Sequence, residues 1–169
     1  MTTAAFRTLL ETPVGALQVA VNGDGELVEI LLPNRKAAAP AVLMPAAAGD
    51  GLRSACEQLA DYFRGTRRAF DLRLRPEGSA FERQVWNRLL DVPYGVTTSY
   101  GAIAARLGLV NGARAVGRAN GSNPIPIVIP CHRIIGSDGT LTGYGGGLAL
   151  KRTLLELECA LAPPDPVLF

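Results

Sequence analysis

The chain has 169 residues, of which 48% are hydrophobic and 19% charged, with a formal net charge of +2. That balance suits one folded soluble domain or two small ones and excludes a disordered chain; a membrane helix would need roughly 18 uninterrupted apolar residues, and no such run is present. Three cysteines without a CxxC pair and a single histidine leave a zinc site short of ligands. With no basic-then-apolar leader at the N-terminus, a reducing, cytoplasmic location is expected.

In chain order, alternation over Phe6 to Leu10, Leu17 to Val21 and Leu27 to Leu32 predicts antiparallel strands, the last two joined by Asn22-Gly23-Asp24-Gly25. Lys36 to Gly49, rich in alanine and proline without a period, reads as a surface loop. Leu52, Cys56, Leu59 and Phe63 then recur at helical spacing, and Gly65 supplies a C-terminal stop. Phe70, Leu72 and Leu74 alternate with charged residues and predict one more strand. Pro76-Glu77-Gly78-Ser79 is a compact break, which divides the chain into domains 1–76 and 77–169. The expected class is mixed α/β, α+β in arrangement: a small antiparallel sheet with a helix, then a helical domain.

After the break, Ser79 caps a predicted helix carrying Phe81, Val85, Trp86 and Leu89 and ended by Pro93 and Gly95. Ser99 caps a short second helix with Ile103 and Leu107 inward. Gly108 to Gly112 forms a turn, and Ala113 to Asn120 a third helix with Val116 inward. Helix, glycine-bearing turn, helix is the helix-turn-helix pattern, which packed helix pairs with no DNA role share. From Val92 to Arg133 there are four arginines (Arg106, Arg114, Arg118, Arg133) and no acidic residue. Such a stretch is either a phosphate-facing surface or a solvated positive face. Gly112, Ala113, Ala115, Gly117, Ala119 and Gly121 leave the third helix little bulk. Small residues permit close approach to a sugar-phosphate wall, or close packing inside the protein.

Asn123-Pro124-Ile125-Pro126-Ile127-Val128-Ile129-Pro130 cannot be helical, because its prolines remove donors and push their predecessors to extended conformations. It reads as a stiff buried strap leading into Cys131-His132-Arg133. A thiol beside the chain's sole histidine is where nucleophilic chemistry is expected, although sequence neighbours usually point apart and a bridging water is then needed. The inert alternative is a buried thiol and a satisfied core histidine. After a turn at Ile134 to Gly139, four glycines surround Tyr144 in Gly143-Tyr144-Gly145-Gly146-Gly147, without a phosphate-loop signature. Leu148 to Cys159 is a last amphipathic helix on Leu150, Leu154, Leu155 and Leu157; Glu156 then faces out and Glu158 inward, which makes Cys131-His132-Glu158 the expected constellation. Pro163 to Phe169 reads as a loose tail.

These residues resemble those of the O6-alkylguanine-DNA alkyltransferase family, the methylated-DNA-protein-cysteine methyltransferases. The resemblance rests on Pro130-Cys131-His132-Arg133-Ile134, Asn123-Pro124, Ala113-Arg114-Ala115-Val116-Gly117, Ser99-Tyr100-Gly101, Gly143-Tyr144, and Lys151 with Leu154-Leu155 and Glu158. Thr12-Pro13-Val14-Gly15 and the helix to Phe63 extend it over nearly the whole chain. It implies a ribonuclease H-like N-terminal part, a helix-turn-helix in the C-terminal part, and DNA repair by direct reversal. In that scheme Cys131 accepts the alkyl group from guanine O6, and less readily from thymine O4, once and irreversibly. His132 takes the thiol proton through water and Glu158 holds His132. Tyr100 stabilises charge on the leaving purine, and Asn123 braces the strap. The backbone at Cys131 and Ile134 accepts from the guanine amino group. Arg114, flanked by Ala113 and Ala115, fills the gap left by a flipped base, with Arg118 on the same helix. Tyr144 and Gly145 wall the pocket, and Lys151 completes the set of substrate- and DNA-binding residues.

The implied partner is double-stranded DNA carrying O6-alkylguanine, bound through the minor groove by a monomer, with cooperativity along DNA left open; no cofactor and no membrane are implied. Two departures stand out. Gly145 lacks the serine hydroxyl with which some members contact O6, and the N-terminal half has only Cys56 and no histidine where some members hold zinc, so no metal is expected. The rival readings are a damage sensor that flips the base without repairing it, which would lack Cys131, and a cysteine hydrolase built on the same constellation. A fused adaptive-response regulator would need a further cysteine-rich domain.

Overall fold

The computed structural model describes residues 5–33 and 45–160. Strands β1 (Phe6–Thr12), β2 (Gly15–Val21) and β3 (Leu27–Leu31) form an antiparallel sheet in the order 1-2-3. Its first hairpin closes at Thr12 opposite Gly15, whose φ of 111° only glycine adopts readily. Helix α1 (Ala46–Phe63) packs against all three strands and buries Ala48, Leu52, Ala55, Gln58, Leu59 and Tyr62.

Three expectations about this half need correction. The apolar stripe of α1 runs through Ala55 and Tyr62, with Cys56 and Phe63 half-buried at its margin. Of the predicted loop, residues 36–44 lie outside the described residues, and 46–49 already belong to α1: three successive alanines carry the highest helix propensity and the Gly49 N–H bonds Pro45 O at 3.1 Å. The predicted strand at Phe70 to Leu74 shrinks to one parallel bridge, Leu27 to Leu74. There the Gln58 side chain takes both the N–H and the carbonyl of Asp71, at 2.8 and 2.9 Å, so that this backbone is satisfied from the helix rather than by a ladder.

In the second half, α2 (Ala80–Leu90) starts from a full capping box: Ser79 Oγ accepts the Glu82 N–H and the Glu82 carboxylate accepts the Ser79 N–H. A two-residue strand β4 (Thr98–Ser99) leads into α3 (Tyr100–Arg106), which Ser99 Oγ caps at Ala102 N. A turn containing Gly108 and Asn111 at positive φ joins it to α4 (Ala113–Gly121). Helices α2, α3 and α4 pack on one another, pinned by the buried bond from Trp86 Nε1 to Ala119 O, 2.8 Å. The strand β5 (Ile134–Ile135) pairs in parallel with β4, and α5 (Leu148–Leu157) closes the fold. Among the described residues no helix is long and apolar enough to cross a membrane. The tail from Pro163 lies outside them.

The strap at Asn123 to Pro130 is buried as expected but not straight. It turns back on itself, with Ile129 N–H bonding Ile125 O at 2.9 Å and Ile127 at φ 75°. A β-branched residue in that region costs on the order of 1–2 kcal/mol. Burial of Ile125, Ile127 and Ile129, none more than 1% exposed, offsets it. The two halves share one continuous core, and Ile30 N–H crosses to Pro124 O at 2.9 Å.

Gly51 lies inside α1, where alanine would ordinarily stabilise by about 1 kcal/mol. Here a Cβ would run into the backbone of Gly25, itself at φ 77°. Gly51→Ala is therefore expected to destabilise by roughly 1–3 kcal/mol, read as a fall in the thermal midpoint by calorimetry; a rise would contradict this packing.

Candidate active site and nucleic-acid interface

The turn out of the strap sets the site. Cys131–Arg133 form a single 3-10 turn, whose three residues per turn send successive side chains in three directions. Cys131 faces a cleft of about 830 Å³ lined by Tyr100, Ala113, Arg114, Gly117, Asn120, Asn123, Thr142 to Gly145 and the β3 residues Glu29 to Leu31. His132 and Arg133 point the other way, to Glu158 at the C-terminal end of α5.

Glu158 is 2% exposed and accepts four hydrogen bonds. Oε1 takes Tyr62 OH at 2.7 Å, His132 Nε2 at 2.8 Å and an Arg133 terminal nitrogen at 3.0 Å, while Oε2 takes Arg133 Nε at 2.8 Å. Burial alone would raise its carboxyl, yet the bonds from His132 and Arg133 outweigh it and hold the group at about 2. Burial in turn lowers His132, against the pull of Glu158. A neutral imidazole donating from Nε2 to a carboxylate carries its lone pair on Nδ1. That nitrogen is buried without a hydrogen-bond partner among the described residues. Burial pushes the Cys131 thiol up to about 11, with the Asn123 amide and the Lys151 charge pulling against it.

The remaining predicted residues sort by exposure. Ala113 and Arg114 lie exposed on the cleft wall; Ala115 is half-buried and Arg118 exposed, and neither lines the cleft. Tyr100 stands at the rim, its hydroxyl donating to Thr142 O at 3.3 Å and accepting from Thr142 Oγ1 at 3.1 Å. Asn123 donates to Ile129 O and accepts from Ile125 N–H, at 2.8 and 3.0 Å, and so braces both ends of the turned strap. Tyr144 lines the cleft with its hydroxyl buried, and Gly145 lies beside it. Ile134 is fully buried, and its carbonyl accepts from Lys151 Nζ.

Two of the basic residues are not where a phosphate could meet them. Lys151 is fully buried and donates to the carbonyls of Ile134, Thr142 and Gly143, so it ties down the loop around Tyr144 instead of touching DNA. Arg133, counted in the acid-free stretch, is spent on Glu158 and Val92 O. An ammonium facing backbone carbonyls and a guanidinium matched to a carboxylate are both satisfied internally.

The family model for the 6-O-methylguanine DNA methyltransferase ribonuclease-like domain matches residues 5–76, and that for the DNA binding domain of the same proteins matches residues 80–160. The chain belongs to the 6-O-methylguanine DNA methyltransferase family. A relative from Mycobacterium tuberculosis, named methylated-DNA–protein-cysteine methyltransferase, is 44% identical over 164 residues, covering 97% of this chain and 98% of that protein. The crystal structure of the M. tuberculosis O6-methylguanine methyltransferase superposes with a TM-score of 0.81 at 42% identity, over 96% of this chain and 97% of that one. A structure of the M. tuberculosis protein in complex with DNA gives 0.78, again at 42% identity, over 93% and 94%. The mixed α/β class expected from the sequence agrees with these structures.

Sequence reasoning missed Tyr62, Arg133 and Asn120. Tyr62 was legible in principle, three residues after Leu59 and four after Gln58 on the buried face of α1. Asn120, buried beneath the cleft with Nδ2 at 3.4 Å from Cys131 O, had no signal beyond its helical phase with Val116.

Two groups make the fold acid-labile with the same sign. Glu158 contributes stability that is complete above its ordinary 4.5 and is lost as pH falls toward about 2. The unfolded chain protonates His132 below about 6.5 while the folded chain resists, so stability also declines as pH falls through that value. The thermal midpoint is expected to drop from pH 7 downward and more steeply below pH ~4.5. Glu158→Gln, which leaves Arg133 buried without its carboxylate, should cost about 3–5 kcal/mol at pH 7 and flatten the lower part of that profile; an unchanged profile contradicts the assignment.

Proposed function

We propose that this protein repairs DNA by moving an alkyl group from guanine O6, and less readily from thymine O4, onto its own Cys131. The observation that carries the reading is a cysteine on the floor of an Arg114-walled cleft, followed directly by a histidine bonded to a buried carboxylate. The name of the M. tuberculosis relative and the complex of that protein with DNA support it.

Cys131 Sγ forms a bond to the alkyl carbon as its proton passes, through a water, to His132 Nδ1. The carbon–O6 bond breaks and its electron pair stays on the purine, where Tyr100 OH donates to the developing charge. Glu158 stabilises the imidazolium. A thioether sulfur is a poor leaving group, so each molecule reacts once.

A base stacked in a duplex hides O6, so the nucleotide rotates out at a cost of about a few kcal/mol, and Arg114 occupies the space it leaves. The slim face of α4 beside Arg114 suits the minor groove, and binding then depends on salt more than on sequence.

Excess protein mixed with duplex carrying O6-methylguanine is expected to gain one methylene on Cys131, found by peptide mass, with none on Cys131→Ser. Bound DNA with unmodified cysteine would mean a sensor, and repeated turnover on acyl substrates a hydrolase. Arg114→Ala is expected to slow transfer from duplex by roughly 10-fold or more, the scale of a lost contribution to base extrusion, while leaving transfer from the free base O6-methylguanine near its starting rate. Equal slowing of both removes the role given to Arg114.

A further inference from the structure

The helix of the N-terminal half reaches the reacting centre through one side chain. Tyr62 is fully buried, and its hydroxyl donates at 2.7 Å to Glu158 Oε1, the same oxygen that His132 Nε2 meets at 2.8 Å. Its ring is held by Phe63, Phe70 and Tyr94 at centroid separations of 5.3, 5.6 and 6.2 Å. Arg133 stacks over Tyr94 at 5.8 Å, so the guanidinium and the phenol meet Glu158 from one preformed cluster. Burial and the neighbouring charge of Glu158 push the Tyr62 phenol far upward, so it stays a donor throughout the working range.

We propose that Tyr62 is a positioning residue for alkyl transfer: its hydroxyl fixes the Glu158 oxygen that orients His132, and makes the N-terminal half part of the proton relay. The kinetic consequence rests on the alkyl-transfer reading; the geometry does not. A carboxylate oxygen shared among three donors has less charge left for any one of them. Tyr62 thus does two things at once. It stops the carboxylate from rotating, which keeps His132 Nε2 as the protonated nitrogen and Nδ1 as the base. It also draws charge from Oε1, which keeps the imidazole from holding its proton too firmly.

The charged and titratable groups facing this network are Glu158, Arg133 and Lys151 around His132, with Tyr94 beside Tyr62; Arg68 and Cys159 face Tyr94, and Cys131 faces Tyr144. Tyr62→Phe leaves all of them in place and removes one oxygen. The carboxylate then loses a donor to its charged form and attracts the His132 proton more strongly. The histidine is expected to titrate higher, and the acid limb of the transfer rate should move up with it, because the neutral imidazole is the base. Loss of orientation should lower the plateau rate by roughly 10-fold.

His132 is the chain's only histidine, so its imidazole nitrogen signals are unambiguous in this chain. The experiment follows those signals by nitrogen-15 NMR across pH in wild type, Tyr62→Phe and Phe70→Leu, alongside single-turnover transfer from O6-methylguanine duplex. Phe70→Leu disturbs the packing on the Tyr62 ring but keeps the hydroxyl; it should lower the thermal midpoint and leave the His132 signals and the pH profile in place. Movement of the signals in Tyr62→Phe alone supports the assignment. It is overturned if those signals and their titration match wild type, or if Phe70→Leu moves them equally. Absence of transfer by the wild type would sink the alkyl-transfer reading, and the NMR comparison would still decide the role of Tyr62.

Discussion

A carboxylate taken out of water must be paired or it will not stay charged, and the site is organised around meeting that requirement at Glu158. The cost of burying one ion is several kcal/mol, recovered only with good geometry and with the remaining lone pairs satisfied. Here both oxygens are engaged, Arg133 in fork geometry and Tyr62 and His132 on the shared oxygen. Those partners come from α1 and from the 3-10 turn, and Glu158 itself from the end of α5, elements that are separate in sequence. The charge therefore fixes where three elements meet, and the direction of Cys131 follows: with His132 and Arg133 committed to Glu158, the third direction of the turn is the one that opens on the cleft.

A second buried charge is handled by a different device. Lys151 has no carboxylate; burial lowers its ammonium to about 8, and three carbonyls from Ile134, Thr142 and Gly143 solvate it. Thr142 and Gly143 themselves line the cleft, and Ile134 lies directly after the 3-10 turn, so the ammonium ties the two together. Thr142 also meets Tyr100, so one amine, one threonine and one tyrosine are linked along the cleft wall. The Lys151 charge is also among the influences that oppose burial at the Cys131 thiol. A residue that looks from its sequence like a DNA contact is thus the means by which the pocket keeps its shape.

What could be read from the sequence was what local chemistry settles. Ser79, Ser99, Gly65 and the apolar spacing in α2 to α5 act over a few residues, and the structure places those elements as expected. Cys131, His132 and Glu158 were legible because a lone histidine and the phase of α5 leave few options. Apart from the alanine run that opens α1, the failures were long-range. Phe70 to Leu74 alternates like a strand, but the Asp71 backbone bonds a glutamine on α1, and only Arg73 and Arg75 bond β3, at Leu27. Arg133 and Lys151 count as surface charge until the carboxylate and carbonyls that surround them are known. Alternating proline and isoleucine read as extended chain, and the turn that puts Ile127 at positive φ comes from the Asn123 side chain bonding Ile125 N–H and Ile129 O and from burial of the isoleucines.

The small residues of α4 allowed two explanations from sequence, and the structure separates them position by position. Gly112 is needed for packing: a Cβ there would press on Leu109. Ala119 is buried where Trp86 bonds its carbonyl. Ala113, Gly117 and Gly121 follow one another at helical spacing on the cleft side. A side chain at Gly117 would meet only ordinary contact with the Tyr100 ring, and one at Gly121 would meet nothing. Internal packing therefore accounts for one face of the helix and leaves the other unexplained. That unexplained face is the one that carries Arg114 along the cleft above Cys131. Under the proposed function its slimness and the exposed Arg114 suit close approach of a DNA backbone.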